Sequence, residues 1–166
     1  MKGILKECYA GKARTSWSRG RYQINNHNRD TLNSLKGTIT AVETEEGISL
    51  VTVDAGGILL SALVIDTPET AAYLVTGTPV FAVFKETEIS IGKNLSGGLS
   101  LRNRIPAVIT AITGGKILSS ITLDVNGHTL CSVITTRSAV ALGLSVGERV
   151  EGLVKTTEVS LMQTAA

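Results

Sequence analysis

Three short segments of this chain gather hydrogen-bond donors. They are Ser100-Leu101-Arg102-Asn103, Thr135-Thr136-Arg137-Ser138 and Lys155-Thr156-Thr157. Together they offer hydroxyls, helix-start amides, an Arg and a Lys. That set suits an anion. Arginine presents a planar fork of donors and lysine a compact charge, and the start of a helix favours a negative ligand. Taken singly, each piece has an ordinary reading. A hydroxyl before a helix caps it, and a lone Arg or Lys on a strand faces water. Residue type and periodicity leave both readings open.

The remaining inventory argues against catalysis. There is no Gly-x-Ser-x-Gly, no phosphate-binding loop, no dinucleotide fingerprint and no Cys/His nucleophile pair. Cys8 and Cys131 are too few and too isolated for a disulfide framework or a zinc site, and Cys131 reads as a small buried residue in an alternating apolar stretch. His128 stands beside the turn signal Asn126-Gly127, and no His/Cys/Asp cluster suggests a metal. No apolar run approaches a membrane span, and residues 1–29 lack the apolar core of a secretory signal, so a cytoplasmic protein without membrane association is expected.

The elements that carry these segments come in duplicate. Shifted by 70 residues, Ile39-Thr40-Ala41-Val42 falls on Ile109-Thr110-Ala111-Ile112, and Thr52-Val53-Asp54 on Thr122-Leu123-Asp124. Lys85-Glu86-Thr87-Glu88 falls on Lys155-Thr156-Thr157-Glu158. Counting 33–90 against 103–160 gives 17 identities in 58 positions without a gap, which marks a duplication. Strands are predicted at 36–43, 48–54, 58–65 and 80–91, and in the second copy at 106–112, 117–124, 128–135 and 149–161. Gly-rich joints separate them, with Asn126-Gly127 a hairpin signal. One short helix per copy is predicted, at 68–74 with Pro68 in its first turn and at 138–142 with Ser138 as cap and Gly143 as stop. The fold class is all-β with short helices, two tandem OB-like small barrels. The expected divisions are a basic extension at 1–29, loosely docked or disordered, then domains at 30–92 and 100–163. The Gly/Asn/Ser-rich segment 93–99 reads as a flexible joint.

In order, Ser100-Leu101-Arg102-Asn103, the run Ile134-Thr135-Thr136-Arg137-Ser138 with Leu142-Gly143-Leu144 and Gly147, and Val154-Lys155-Thr156-Thr157-Glu158-Val159 resemble the Mop domain of the TOBE superfamily. Two copies in tandem resemble the di-Mop arrangement of molybdate-storage proteins and of the effector half of molybdate-responsive regulators. The resemblance implies an OB-like fold that binds molybdate or tungstate at subunit interfaces without catalysis or a cofactor. By position, Ser100, Arg102 and Lys155 would hold the oxyanion, with the amides of Leu101 and Thr156. Thr135 and Ser138 would close the site from a neighbouring chain or copy. Asn103, Ala139 and Lys85 are weaker candidates, and Asn103 is expected to fix its strand rather than touch the ligand. A homo-oligomer, favoured as a trimer of two-domain chains, is implied as well. The chemistry agrees. Molybdate is an unprotonated dianion at neutral pH, and a site made only of donors disfavours any oxyanion carrying a proton.

The first copy departs from this pattern. Ser100 is replaced by Asp30, Arg102 by Leu32, Thr135 by Ile65 and Ser138 by Pro68, while Lys85 remains. Asp66 and Glu69 add negative charge nearby. The first copy is therefore expected to keep the fold and to lack the side-chain site.

Charge is unevenly divided. The net of +2 is the sum of +6 over residues 1–29, with seven Lys+Arg and one Glu, and −4 over the rest, with nine basic and thirteen acidic residues. The duplicated body needs a local donor cluster to hold an anion. The basic extension, with Trp17, Tyr9 and Tyr22, is where a nucleic-acid contact would have to lie. Two other readings compete with an oxyanion binder: an OB-fold nucleic-acid module using that extension, and a detached regulatory domain of a transporter ATPase.

Overall fold

A computed structural model describes residues 32–164. Ten strands form two five-stranded antiparallel sheets. The first repeat supplies β1 (Leu32–Glu45), β2 (Ile48–Asp54), β3 (Leu59–Val64), β4 (Pro79–Lys85) and β5 (Ser90–Gly92). The second supplies β6 (Asn103–Gly114), β7 (Leu118–Val125), β8 (His128–Thr135), α1 (Thr136–Ala141), β9 (Arg149–Val154) and β10 (Ser160–Gln163). Each sheet curls into an OB-like barrel, and no helix among the described residues is long and apolar enough to cross a membrane.

The sheets do not follow the repeats. Their orders are β10-β4-β1-β2-β3 and β5-β9-β6-β7-β8, so each takes its fifth strand from the other repeat. The exchange is symmetric, with Ser160 opposite Val83 and Ser90 opposite Leu153. The cause is local. The segments 80–91 and 149–161, expected as continuous strands, are broken by 3-10 turns at Glu86–Glu88 and Thr156–Glu158. In the first turn the Lys85 amide donates to the Glu88 carboxylate at 2.7 Å, and the chain leaves its own sheet for the other.

Other local features repeat at the same offset. A β-bulge interrupts β1–β2 between Ile39 and Ala41 and β6–β7 between Ile109 and Ala111, which bends each long strand. The Asn126-Gly127 hairpin forms, both residues having positive φ (51° and 83°) as a type I′ turn requires. Gly143 ends α1 with φ 55°, while the Leu144 amide reaches back to the Ala139 carbonyl.

Two local expectations are corrected, and the joint between the repeats has a defined anchor. The helix expected at 68–74 is a series of turns: the Thr67 carbonyl accepts from the Thr70 and Ala71 amides, but the next bonds tighten to Leu74 on Ala71 and Val75 on Tyr73, so the helical ladder does not continue. The cap of α1 is Thr135, whose hydroxyl accepts from the Ser138 amide at 3.1 Å, and Ser138 lies inside the first turn. The joint at 93–99 is anchored at its start. The Lys93 ammonium donates to the Leu142 and Gly143 carbonyls at the end of α1 and to Glu148 at 2.8 Å, where the helix dipole favours a cation. That ion pair also holds the Glu148 carboxyl below its ordinary pKa.

The larger of two core clusters spans both repeats. Leu35, Leu60, Phe84 and Ile89 of the first pack in the same cluster as Ile105, Ile109, Leu123 and Leu130 of the second. Two buried asparagines cross the boundary. Asn33 donates to the Cys131 carbonyl at 2.9 Å and accepts from the Cys131 amide at 2.7 Å. Asn103 does the same to Ser61, at 2.8 and 2.6 Å. Each side chain behaves as a peptide group added to the outer strand of the opposite sheet.

A third buried polar group is less well served. Glu86, 5 % exposed, has a carboxylate oxygen without a partner among the described residues. Burial, reinforced by nearby Glu88, raises its pKa, against the opposing pull of its own backbone amide and Lys85. A carboxyl that binds its proton more tightly folded than unfolded loses stability as pH rises from its unfolded value toward its folded one. Glu86→Gln is therefore expected to raise the melting temperature at pH 7.5 and to have little effect at pH 4. Equal shifts at the two pH values would contradict this. Replacing Asn33 or Asn103 by Ala leaves a buried amide and carbonyl unpaired at about 1–3 kcal/mol each. Each variant should melt at least about 4 °C lower, as thermal unfolding followed by circular dichroism would show.

Candidate oxyanion site

The site residues of the second copy converge because β6 and β9 are neighbours. Asn103 lies opposite Val154, so Arg102, one residue earlier, stands beside Lys155, one residue later. Ser100 and Leu101 lead into this corner, and Thr156 opens the 3-10 turn that packs on β3 of the first repeat. Ser100, Arg102 and Lys155 are exposed, and Leu101 and Thr156 half-buried. Buried Asn103 is engaged with Ser61, a strand-fixing role like the one expected, although the strand it fixes belongs to the other repeat.

Arg102 carries a charge that no carboxylate among the described residues compensates, and its Nε donates to the Ser61 hydroxyl at 3.2 Å. Arg104, two residues on, is locked to both oxygens of Glu151 at 2.6 and 2.7 Å. That pairing lowers the Glu151 pKa and raises that of Arg104. One of two adjacent arginines is thus neutralised within the sheet, and the other is left with its terminal N–H groups for something else.

Thr135, Ser138 and Ala139 are elsewhere. They stand at the end of β8 and the start of α1, and β8 packs against the turn of Glu86–Glu88, on the Lys85 side. The Thr135 and Ser138 hydroxyls lie 2.7 Å apart. The Thr135 hydroxyl also accepts from the Ser138 amide at 3.1 Å. Within one chain these donors do not meet Arg102 and Lys155. In their place β3 leads into Ile65, 88 % exposed, Asp66 and Pro68.

The equivalent corner of the first repeat is differently furnished. Leu32 lies opposite Lys85, whose ammonium is 3.7 Å from Glu88, and Glu86 holds the place of Thr156. Asp30 lies outside the described residues, as do Trp17, Tyr9, Tyr22 and the basic extension 1–29. The aromatics within the described residues form no stacking face. Phe84 is buried, and Tyr73 and Phe81 are half-buried. The expectations missed Ser61, which meets Arg102 from the other repeat, and Asn33. A signal for the pair Asn33 and Asn103 was present, since they are identical at the 70-residue offset.

Comparison with known proteins identifies the family. The TOBE domain family matches residues 29–91 and 99–161. The molybdenum-pterin-binding protein MopA of Rhodobacter capsulatus is 30 % identical over 149 residues, which cover 89 % of this chain and 54 % of MopA. The molybdenum import ATP-binding protein ModC of Brucella abortus is 37 % identical over 73 residues, 43 % of this chain and 20 % of ModC. The chain thus spans about half the length of the first relative and a fifth of the second. A crystal structure of the cytoplasmic molybdate-binding protein ModG, with molybdate bound, superposes with a TM-score of 0.74 at 26 % identity, covering 80 % of this chain and 96 % of ModG. By its two matched repeats, its fold and its likeness to MopA, the chain belongs to the TOBE domain family, as a tandem of two such domains.

Proposed function

We propose that the chain is a non-catalytic cytoplasmic binder of molybdate or tungstate, serving molybdenum storage, homeostasis or sensing. The observation that carries this is Arg102, a cation with no carboxylate partner among the described residues, standing beside Lys155 with Ser100 and the amides of Leu101 and Thr156 around them. Two positive side chains balance a dianion, and every group is a donor. Among the relatives, MopA is named for binding molybdenum-pterin and ModG for binding molybdate.

Splitting of the donors within the chain supports assembly. Thr135 and Ser138 reach an Arg102 corner only on a second copy, because the same chain offers Ile65 and Pro68 there. Ile65 at 88 % and Val140 at 74 % exposure are apolar surface beside these corners that a second copy would cover. We read the assembly as a homo-oligomer, a trimer of two-domain chains, with the side-chain site kept by the second repeat and lost by the first.

Calorimetric titration tests the reading. Molybdate and tungstate should release heat and saturate, sulfate and phosphate should bind more weakly, and absence of heat with molybdate up to millimolar concentration overturns it. Arg102→Leu, which installs the first repeat's residue, removes two charge-assisted hydrogen bonds of about 1.5 kcal/mol or more each, and should weaken binding at least about 100-fold.

A further inference from the structure

We propose that Ser61, a residue of the repeat whose own site is degenerate, is a positioning residue for Arg102 in the site of the other repeat. The inference rests on the oxyanion reading above and adds to it a residue that the three donor segments of the second copy do not contain. Ser61 is 5 % exposed and lies in the middle of β3. Its amide and carbonyl are both held by the side chain of Asn103, at 2.6 and 2.8 Å. Asn103 is the chain neighbour of Arg102, so the Ser61 hydroxyl is fixed relative to the guanidinium by the clamp itself. That hydroxyl accepts the Nε–H of Arg102 at 3.2 Å.

The consequence follows from the shape of arginine. A guanidinium has five N–H groups in one plane. Engaging Nε on the protein side fixes that plane and leaves the four terminal N–H groups for a ligand. Without the hydroxyl the same side chain samples many rotamers, and binding has to order it.

The pseudo-symmetry of the chain supplies a control. At the equivalent place in the second repeat Cys131 stands where Ser61 stands, and Asn33 clamps its backbone in the same way, at 2.9 and 2.7 Å. There the arginine is replaced by Leu32, and the Cys131 sulfur, held in a disulfide, faces Ser120 Oγ at 3.1 Å. The clamp therefore forms with or without a serine. Serine and arginine occur together on one side, and both are absent on the other. The hydroxyl of Ser61 goes with the guanidinium and not with the fold.

The test uses the full chain, titrated calorimetrically with sodium molybdate, with melting temperatures measured in its absence. Ser61→Ala should weaken binding roughly 3- to 10-fold, the change expected from losing one hydrogen bond of ordinary net strength. Ser61→Cys, which keeps a side chain of similar size but replaces the hydroxyl by a weakly accepting thiol, should do the same with an unliganded melting temperature near wild type. Ser61→Thr, which keeps the hydroxyl, should restore affinity. In an Arg102→Leu background Ser61→Ala should cost nothing further, because its effect passes through the arginine. Unchanged affinity in Ser61→Ala, or an equal loss with and without Arg102, overturns the inference while leaving the oxyanion reading intact. A wild-type chain that binds no molybdate overturns both.

Discussion

A side-chain amide can take the place of a peptide group, and the two halves of this molecule are joined by two that do so. β3 and β8 are outer strands of their sheets, and buried outer strands need partners for their amides and carbonyls. Asn103 supplies them to β3 and Asn33 to β8, in one geometry repeated across the pseudo-dyad. The exchange of β5 and β10, the shared core and the seating of each 3-10 turn on the opposite repeat are all compatible with this docking. Arg102 inherits its place from it, being the residue next to a clamped asparagine.

On this common frame the two corners have taken opposite chemistry. One has arginine, serine and threonine where the other has leucine, cysteine and glutamate, at positions 102, 61 and 156 against 32, 131 and 86. Lysine is common to both, yet Lys85 is drawn to Glu88. Glu86 is a carboxyl in a buried place where its counterpart is a neutral hydroxyl, and its proton affinity rises accordingly. The frame tolerates this because its stability comes from the core and the clamps, which lie beneath both corners.

Much of the fold was legible in the sequence because its signals are local and occur twice. The strand 48–54 was read residue for residue, and 128–135 likewise, since alternation and flanking Gly or Asn-Gly bound both. The errors have physical causes. Segments 80–91 and 149–161 are β-rich throughout, so nothing in their composition announces a 3-10 break. The segment 68–74 has a helical beginning in Pro68, but after the Ala71 amide its bonds tighten into turns that carry Leu74 into the core. At the site, Ser100, Arg102, Lys155 and Thr156 come together because one strand pair carries them. Thr135 and Ser138 lie apart from them because the exchange of strands, which no local pattern encodes, decides which corner each element faces. Ser61 was invisible for the same reason, its contact spanning 41 residues.

The exchanged strands also set an order of construction. β10 begins 75 residues after β4 ends (160 − 85), yet β4 needs it as a neighbour. A ribosome delivers β1 to β4 long before Ser160–Gln163, so the first sheet waits with one edge of β4 unpaired while the second repeat is being made. Pairings so distant along the chain form slowly. An open edge is a template for any strand of matching pattern, including β10 of another nascent chain. The duplication that lets one polypeptide act as its own partner thus makes its earliest-made half the last to be completed.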